Sequence, residues 1–141
     1  QLTVTDFLVE IHDVHHPIAG SLYYRQQKTE ARRRARHFTR DRIPKFLDYF
    51  ETVLARGSSV PGFMLGRRVS YVDLSMFQLI AGLRYAFPET MARMESATPR
   101  LIALHDRIAA RPNIAAYLDS ERRIAFNQSG IFRHYPELDR P

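Results

Sequence analysis

The stretch Gly66-Arg67-Arg68-Val69-Ser70-Tyr71-Val72-Asp73-Leu74-Ser75-Met76-Phe77-Gln78-Leu79-Ile80-Ala81-Gly82-Leu83-Arg84-Tyr85-Ala86-Phe87 reads as one capped, centrally buried helix. Ser70 stands three residues before Asp73, so its hydroxyl can accept from the Asp73 backbone N–H while the Asp73 carboxylate accepts from the Ser70 N–H. This is a reciprocal capping box with Asp in the place of the usual Glu or Gln. Val69 before the cap and Leu74 after it occupy the positions of a hydrophobic staple, which would fix the angle at which the chain enters the helix. From residue 72 to residue 83 the only polar side chains are Asp73, Ser75 and Gln78. A helix apolar nearly all round must be covered on most sides. The expected architecture is therefore all-α, a helical bundle around a central buried helix at about residues 70–87.

Working outward, apolar periodicity and breakers divide the remaining chain into further helices. Thr3 or Thr5 can cap a first helix with Phe7, Leu8, Ile11 and His15 inward, until Pro17 and Gly20 interrupt it. A long second helix spans about residues 26–55, with Ala31, Ala35, Phe38, Phe46, Leu47, Phe50, Val53 and Leu54 apolar. Pro44 falls inside that helix and should kink it near Arg40, because its ring lacks an N–H and presses on the carbonyl four residues back. Gly57 fits a C′ position, Ser58-Ser59-Val60-Pro61-Gly62 a turn-rich loop, and Phe63-Met64-Leu65 a short extended link. After the central helix, Pro88 starts a helical turn to about Glu95. Pro99 starts a helix to Ala110 with Leu101, Leu104 and Ile108 inward, and Pro112 opens a last helix carrying Ile114, Tyr117 and Leu118. From Phe126 the chain is punctuated by Asn, Gly and Pro and should lie irregularly over the surface. No stretch reads as a sheet.

With 141 residues and 45% hydrophobic content, the chain can bury one real core, so a single domain over 1–141 is expected. The absence of cysteine excludes a disulfide framework, a thiolate nucleophile and a Cys-based zinc site. No apolar run approaches a membrane span, and the start Gln1-Leu2-Thr3 has no signal-peptide pattern, so a soluble cytoplasmic protein with no membrane partner is the default. The net charge of +6 is local: between Arg25 and Arg42 there are eight Lys or Arg against two acids. Such a segment could face nucleic acid or an acidic partner. Ala31, Ala35 and Phe38 thread it at helical spacing and no aromatic platform interleaves the arginines, which favours a solvated helix face and makes a nucleic-acid partner unlikely on this reading.

The run His12-Asp13-Val14-His15-His16 mimics the zincin pattern His-Glu-x-x-His. That chemistry needs two imidazoles on one helix face, a third ligand and a carboxylate long enough to act as base. Asp13 is the shorter acid and His16 precedes Pro17, where the helix should fail, so no metal site is expected. The competing reading has His12 and Asp13 hydrogen-bonding within or between subunits, with His15 or His16 at the border of a cleft.

The run Gly66…Val69-Ser70-Tyr71-Val72-Asp73-Leu74 resembles the capping-box motif Gly-x-x-(Ser/Thr)-x-x-Asp in the all-helical C-terminal domain of cytosolic glutathione transferases. Ile43-Pro44-Lys45-Phe46-Leu47 before it, and Ala110-Arg111-Pro112-Asn113-Ile114 with Tyr117-Leu118 after it, match in order and at family-like distances. The tail from Ser120 to Asn127 and from Tyr135 to Asp139 looks like that of bacterial and fungal members. The resemblance implies that a thioredoxin-like domain, absent from this chain, precedes it and carries the thiol-activating residue, so no catalytic residue is assigned here. It implies glutathione as co-substrate with no further cofactor, a small electrophile as second substrate, detoxifying conjugation and a homodimer. Asp13 is the nearest candidate for the acid that reaches the glutathione ammonium of the neighbouring subunit. His16, Tyr23 and Tyr24 are the candidates for the electrophile side of the cleft, while Ser70 and Asp73 are structural. A second implication keeps the fold without catalysis: glutathione-transferase-like domains also serve as docking modules in translation-factor and tRNA-synthetase assemblies, where a basic face suits an RNA-rich setting.

Overall fold

The computed structural model describes residues 1–57 and 62–140. It contains the helices α1 (Leu2–His15), α2 (Lys28–His37), α3 (Ile43–Arg56), α4 (Tyr71–Ala86), α5 (Pro88–Met94), α6 (Pro99–Ala109) and α7 (Pro112–Leu118). Among the described residues the only β pairing is an isolated bridge between Phe63 and Gly66. The fold is thus all-α, as the periodicity implies.

The central helix α4 packs against α6, α5 and α1. Val72, Met76, Phe77, Leu79, Ile80, Leu83 and Ala86 are buried along it. Each fully buried Leu or Ile contributes about 1.5–3 kcal/mol relative to leaving it in water. Its start is fixed by the capping box that links Ser70 and Asp73. The Asp73 carboxylate is completely buried. It accepts from the Ser70 N–H at 2.7 Å, the Ser70 hydroxyl at 2.7 Å and the Met64 N–H at 2.6 Å. Met64 was not foreseen as a partner. It belongs to a tight turn closed by Phe63 and Gly66, whose φ of 118° favours glycine. Residues 63–65 are therefore a turn rather than an extended link. Leu74, one half of the expected staple, is 41% exposed.

Several boundaries differ from expectation for identifiable reasons. Helix α1 begins at Leu2 with Gln1 as its cap, so Thr3 and Thr5 lie inside it, and the Thr5 hydroxyl donates back to the Gln1 carbonyl. The expected long helix over residues 26–55 is helical throughout residues 28–56, as α2, a π-turn (Phe38–Arg42) and α3, with the π-turn where Pro44 implies a kink near Arg40 and a separate 3-10 turn (Tyr24–Gln26) before it. Pro44 offers no N–H to the Arg40 carbonyl, and the wider turn lets the Ile43 N–H reach the Phe38 carbonyl, five residues back. Gly57 does cap α3 but in the right-handed region, so its special freedom is not used. Of the expected loop Ser58-Ser59-Val60-Pro61-Gly62, all but Gly62 lies outside the described residues. Tyr117 is exposed on α7, while Ile114 and Leu118 pack against the core.

The largest departure is the tail. Its backbone is largely irregular, as its Asn, Gly and Pro imply, but rather than only covering the surface it buries Phe132, Leu138 and Asp139. Asp139 accepts from the Glu89 N–H at 2.6 Å, the Thr90 N–H at 3.1 Å and the Thr90 hydroxyl at 2.6 Å, so it caps α5 from 50 residues away. Glu51 does the same for α6, accepting from the backbone N–H groups of Arg100 and Leu101 at 3.0 Å each. Helices α4, α5 and α6 thus each begin on a buried carboxylate, which satisfies orphan N–H groups and suits the positive end of the helix dipole.

Candidate functional site

Pro17 ends α1 and leaves His16 as its C-cap. The chain that follows is held by Gln27, a fully buried side chain. Its carbonyl oxygen accepts from the Ile18 N–H at 2.9 Å, and its amide donates to the Ala19 and Leu22 carbonyls at 3.1 and 3.0 Å. One glutamine therefore fixes the loop that delivers Tyr23 and Tyr24. A polar residue at the start of a basic helix gave no sign of this role in the sequence.

His16, Tyr23 and Tyr24 converge on one recess of about 390 Å³, completed by Arg25, Gln128, Arg133 and Tyr135. Three of these come from the tail, more than 100 residues away, and the sequence reading missed them. Tyr24 stacks on Tyr135 with ring centroids 3.7 Å apart and planes 15° off parallel. Its hydroxyl donates to Glu137 at 2.9 Å, and Lys28 lies 3.8 Å from the same carboxylate. Burial first, and then the Glu137 carboxylate, push the Tyr24 hydroxyl well above the ordinary tyrosine range. It stays protonated and is a positioned donor rather than a base. Tyr23 is different: its ring is 69% exposed, with the Arg25 guanidinium 5.3 Å from its centroid. The recess thus offers a buried aromatic wall, an exposed aromatic edge and two guanidinium groups, which suits a flat, electron-poor or anionic molecule.

Behind His16 the imidazoles gather. His15 is buried, and its Nε2 lies 2.8 Å from the Ile131 carbonyl. The Nε2–H donates there, which leaves the Nδ1 lone pair to accept from the His16 Nδ1–H at 2.5 Å. Burial above all, with the charges of Arg133, His16 and His12, pushes the His15 pKa down to about 4, against the opposing pull of the Ile131 carbonyl. Burial and Arg133 also lower that of His16.

Asp13 does not line the recess. It pairs with Arg34 at 3.2 Å and stands 3.7 Å from the His12 ring. The same pairing principle tempers the basic segment: Arg42 grips Glu10 through two nitrogens at 2.6 and 2.8 Å, and Arg40 grips Asp41 at 2.8 Å. Among the described residues no helix is long and apolar enough to cross a membrane.

Residues 12–121 match the family described as the C-terminal domain of glutathione S-transferase. A protein called glutathione S-transferase P 1 from Xenopus laevis is 30% identical over 81 residues, 57% of this chain and 36% of that relative. One of the same name from Bufo bufo is 32% identical over 79 residues, 56% of this chain and 36% of the relative. The matched part therefore spans little more than a third of either relative.

Proposed function

Because the chain belongs to the glutathione S-transferase family through its C-terminal domain, we propose that it supplies the electrophile half of a transferase active site. The glutathione thiolate would come from a thioredoxin-like domain and attack an electrophile held in the recess. Holding the two reactants together is itself a large part of such catalysis. The observation that carries this reading is the convergence of His16, Tyr23 and Tyr24 on one recess with the Tyr24–Tyr135 stack as its wall. In this reading Tyr135, held by its stack on the buried Tyr24, forms the wall beside the electrophile, and Arg25 and Arg133 favour substrates whose negative charge grows on the leaving group. Asp13 serves the glutathione ammonium of a neighbouring subunit in a homodimer, and the site works in the cytoplasm.

The test compares the 141-residue chain alone with the chain fused behind a thioredoxin-like domain, using glutathione and an aryl halide. The isolated chain should show no conjugation and the fusion should restore it. In the fusion, Tyr23→Ala and His16→Ala should raise KM for the aryl halide with little change in KM for glutathione, and Asp13→Asn the reverse. Turnover by the isolated chain, or aryl-halide kinetics indifferent to both recess substitutions, would overturn the proposal.

A further inference from the structure

His12 and His15 lie on the last turn of α1 and His16 is its C-cap, whose backbone N–H still donates to the His12 carbonyl and so keeps the two residues close. The rings of His12 and His16 are parallel, 4.8 Å apart at 5°, and His15 meets them edge-on at 5.1 and 4.7 Å. One nitrogen from each of the three lies within 4.8 Å of the others. Two nitrogens bound to a tetrahedral ion at about 2.1 Å are about 3.4 Å apart, so binding would require the partly exposed His12 and His16 rings to turn out of their parallel stack until all three nitrogens reach that spacing.

The buried member is already oriented. Its Nε2–H is committed to the Ile131 carbonyl, which leaves the Nδ1 lone pair facing His16. Metal-ligating histidines are held in this way, one nitrogen on a carbonyl and the other on the ion. His16 now gives its Nδ1 proton to that lone pair. Moving the proton to its Nε2 frees both nitrogens without changing the net charge. Asp13, 3.7 Å from His12, adds a favourable negative charge and Arg133 an unfavourable positive one.

We infer that His12, His15 and His16 form a binding site for a late first-row divalent metal ion, with zinc as the reference ion and water filling the open position. Three imidazoles without thiolates suit zinc, nickel or copper rather than magnesium or calcium. This site shares His16 with the recess but requires neither glutathione nor an electrophile, so its test is independent of the transferase reading.

The experiment is calorimetric titration of the 141-residue chain with zinc ion in a non-coordinating buffer, with no transferase substrate present. One ion per chain should bind. His12→Ala and His16→Ala should each weaken binding at least about tenfold, and their double variant should abolish it, while His37→Ala leaves it unchanged. These rings are partly exposed, so circular dichroism of each variant should match the parent. Cobalt substitution should give the intense visible bands of tetrahedral nitrogen coordination. Equal zinc affinity in the parent and the His12→Ala, His16→Ala double variant, or no binding by the folded parent, would overturn the inference.

Discussion

The Phe132 ring occupies the space where Gly82 would carry a side chain, so closely that a Cβ on Gly82 would overlap three of the ring carbons. Gly82 is thus the socket in α4 for the aromatic anchor of the tail. A glycine inside a helix costs up to about 1 kcal/mol relative to alanine, and here the cost is offset by the burial of Phe132.

We expect Gly82→Ala to destabilise the protein by about 1–2 kcal/mol, because overpacking outweighs the gain in helix propensity. In a Phe132→Ala background the same change should become stabilising. A urea-denaturation double-mutant cycle reads this sign reversal directly. Additive effects of the two substitutions would show that the ring is not seated on Gly82.

The capping pair yields unequal expectations. Ser70→Ala removes one partner at the cap and should cost about 1 kcal/mol. Asp73→Ala leaves the Met64 and Ser70 donors without their shared acceptor in a buried place and should cost about 3 kcal/mol. Denaturation midpoints of the two variants, measured side by side, give the ranking. An Asp73→Ala protein of unchanged stability that has lost ligand binding would move the residue from structure to function.

Glu137 gives the tail a pH dependence. Its own backbone N–H first, then the Tyr24 hydroxyl, Lys28 and Arg32, hold its carboxyl below the ordinary value of 4.5 against the opposing effect of burial. A depressed native pKa means that the unfolded chain takes up the proton first, so the stabilisation is complete above about 4.5 and is lost as pH falls through the lower native value. Glu137→Gln should be less stable than the parent at neutral pH, and the gap should narrow in acid. A gap independent of pH would show that the carboxylate charge is not what secures the tail.

What could be read in the sequence was what is local in it. Ser70 and Asp73 are three residues apart, and the apolar faces of α4 and α6 repeat within a few turns. Pro44 announced an interruption, but a kink and a π-turn have the same sequence signal. His16, Tyr23 and Tyr24 cluster around Pro17 and so could be proposed together. Arg133 and Tyr135 join them only because Phe132 is seated on Gly82 and Asp139 caps α5. Those contacts, like the Glu51 cap of α6, link residues about 50 apart, and periodicity carries no information about them.

The bonds from His15 to Ile131 and from Tyr24 to Glu137 span 116 and 113 residues. A ribosome making this chain releases the second wall of the recess more than 100 residues after the first. Until residue 137 is free, Tyr24 has no stacking partner and the His15 ring has no carbonyl to orient it. Helices α1 to α4 can form in vectorial order, but the recess and the imidazole cluster become competent together, only after the segment carrying Ile131, Tyr135 and Glu137 has been added.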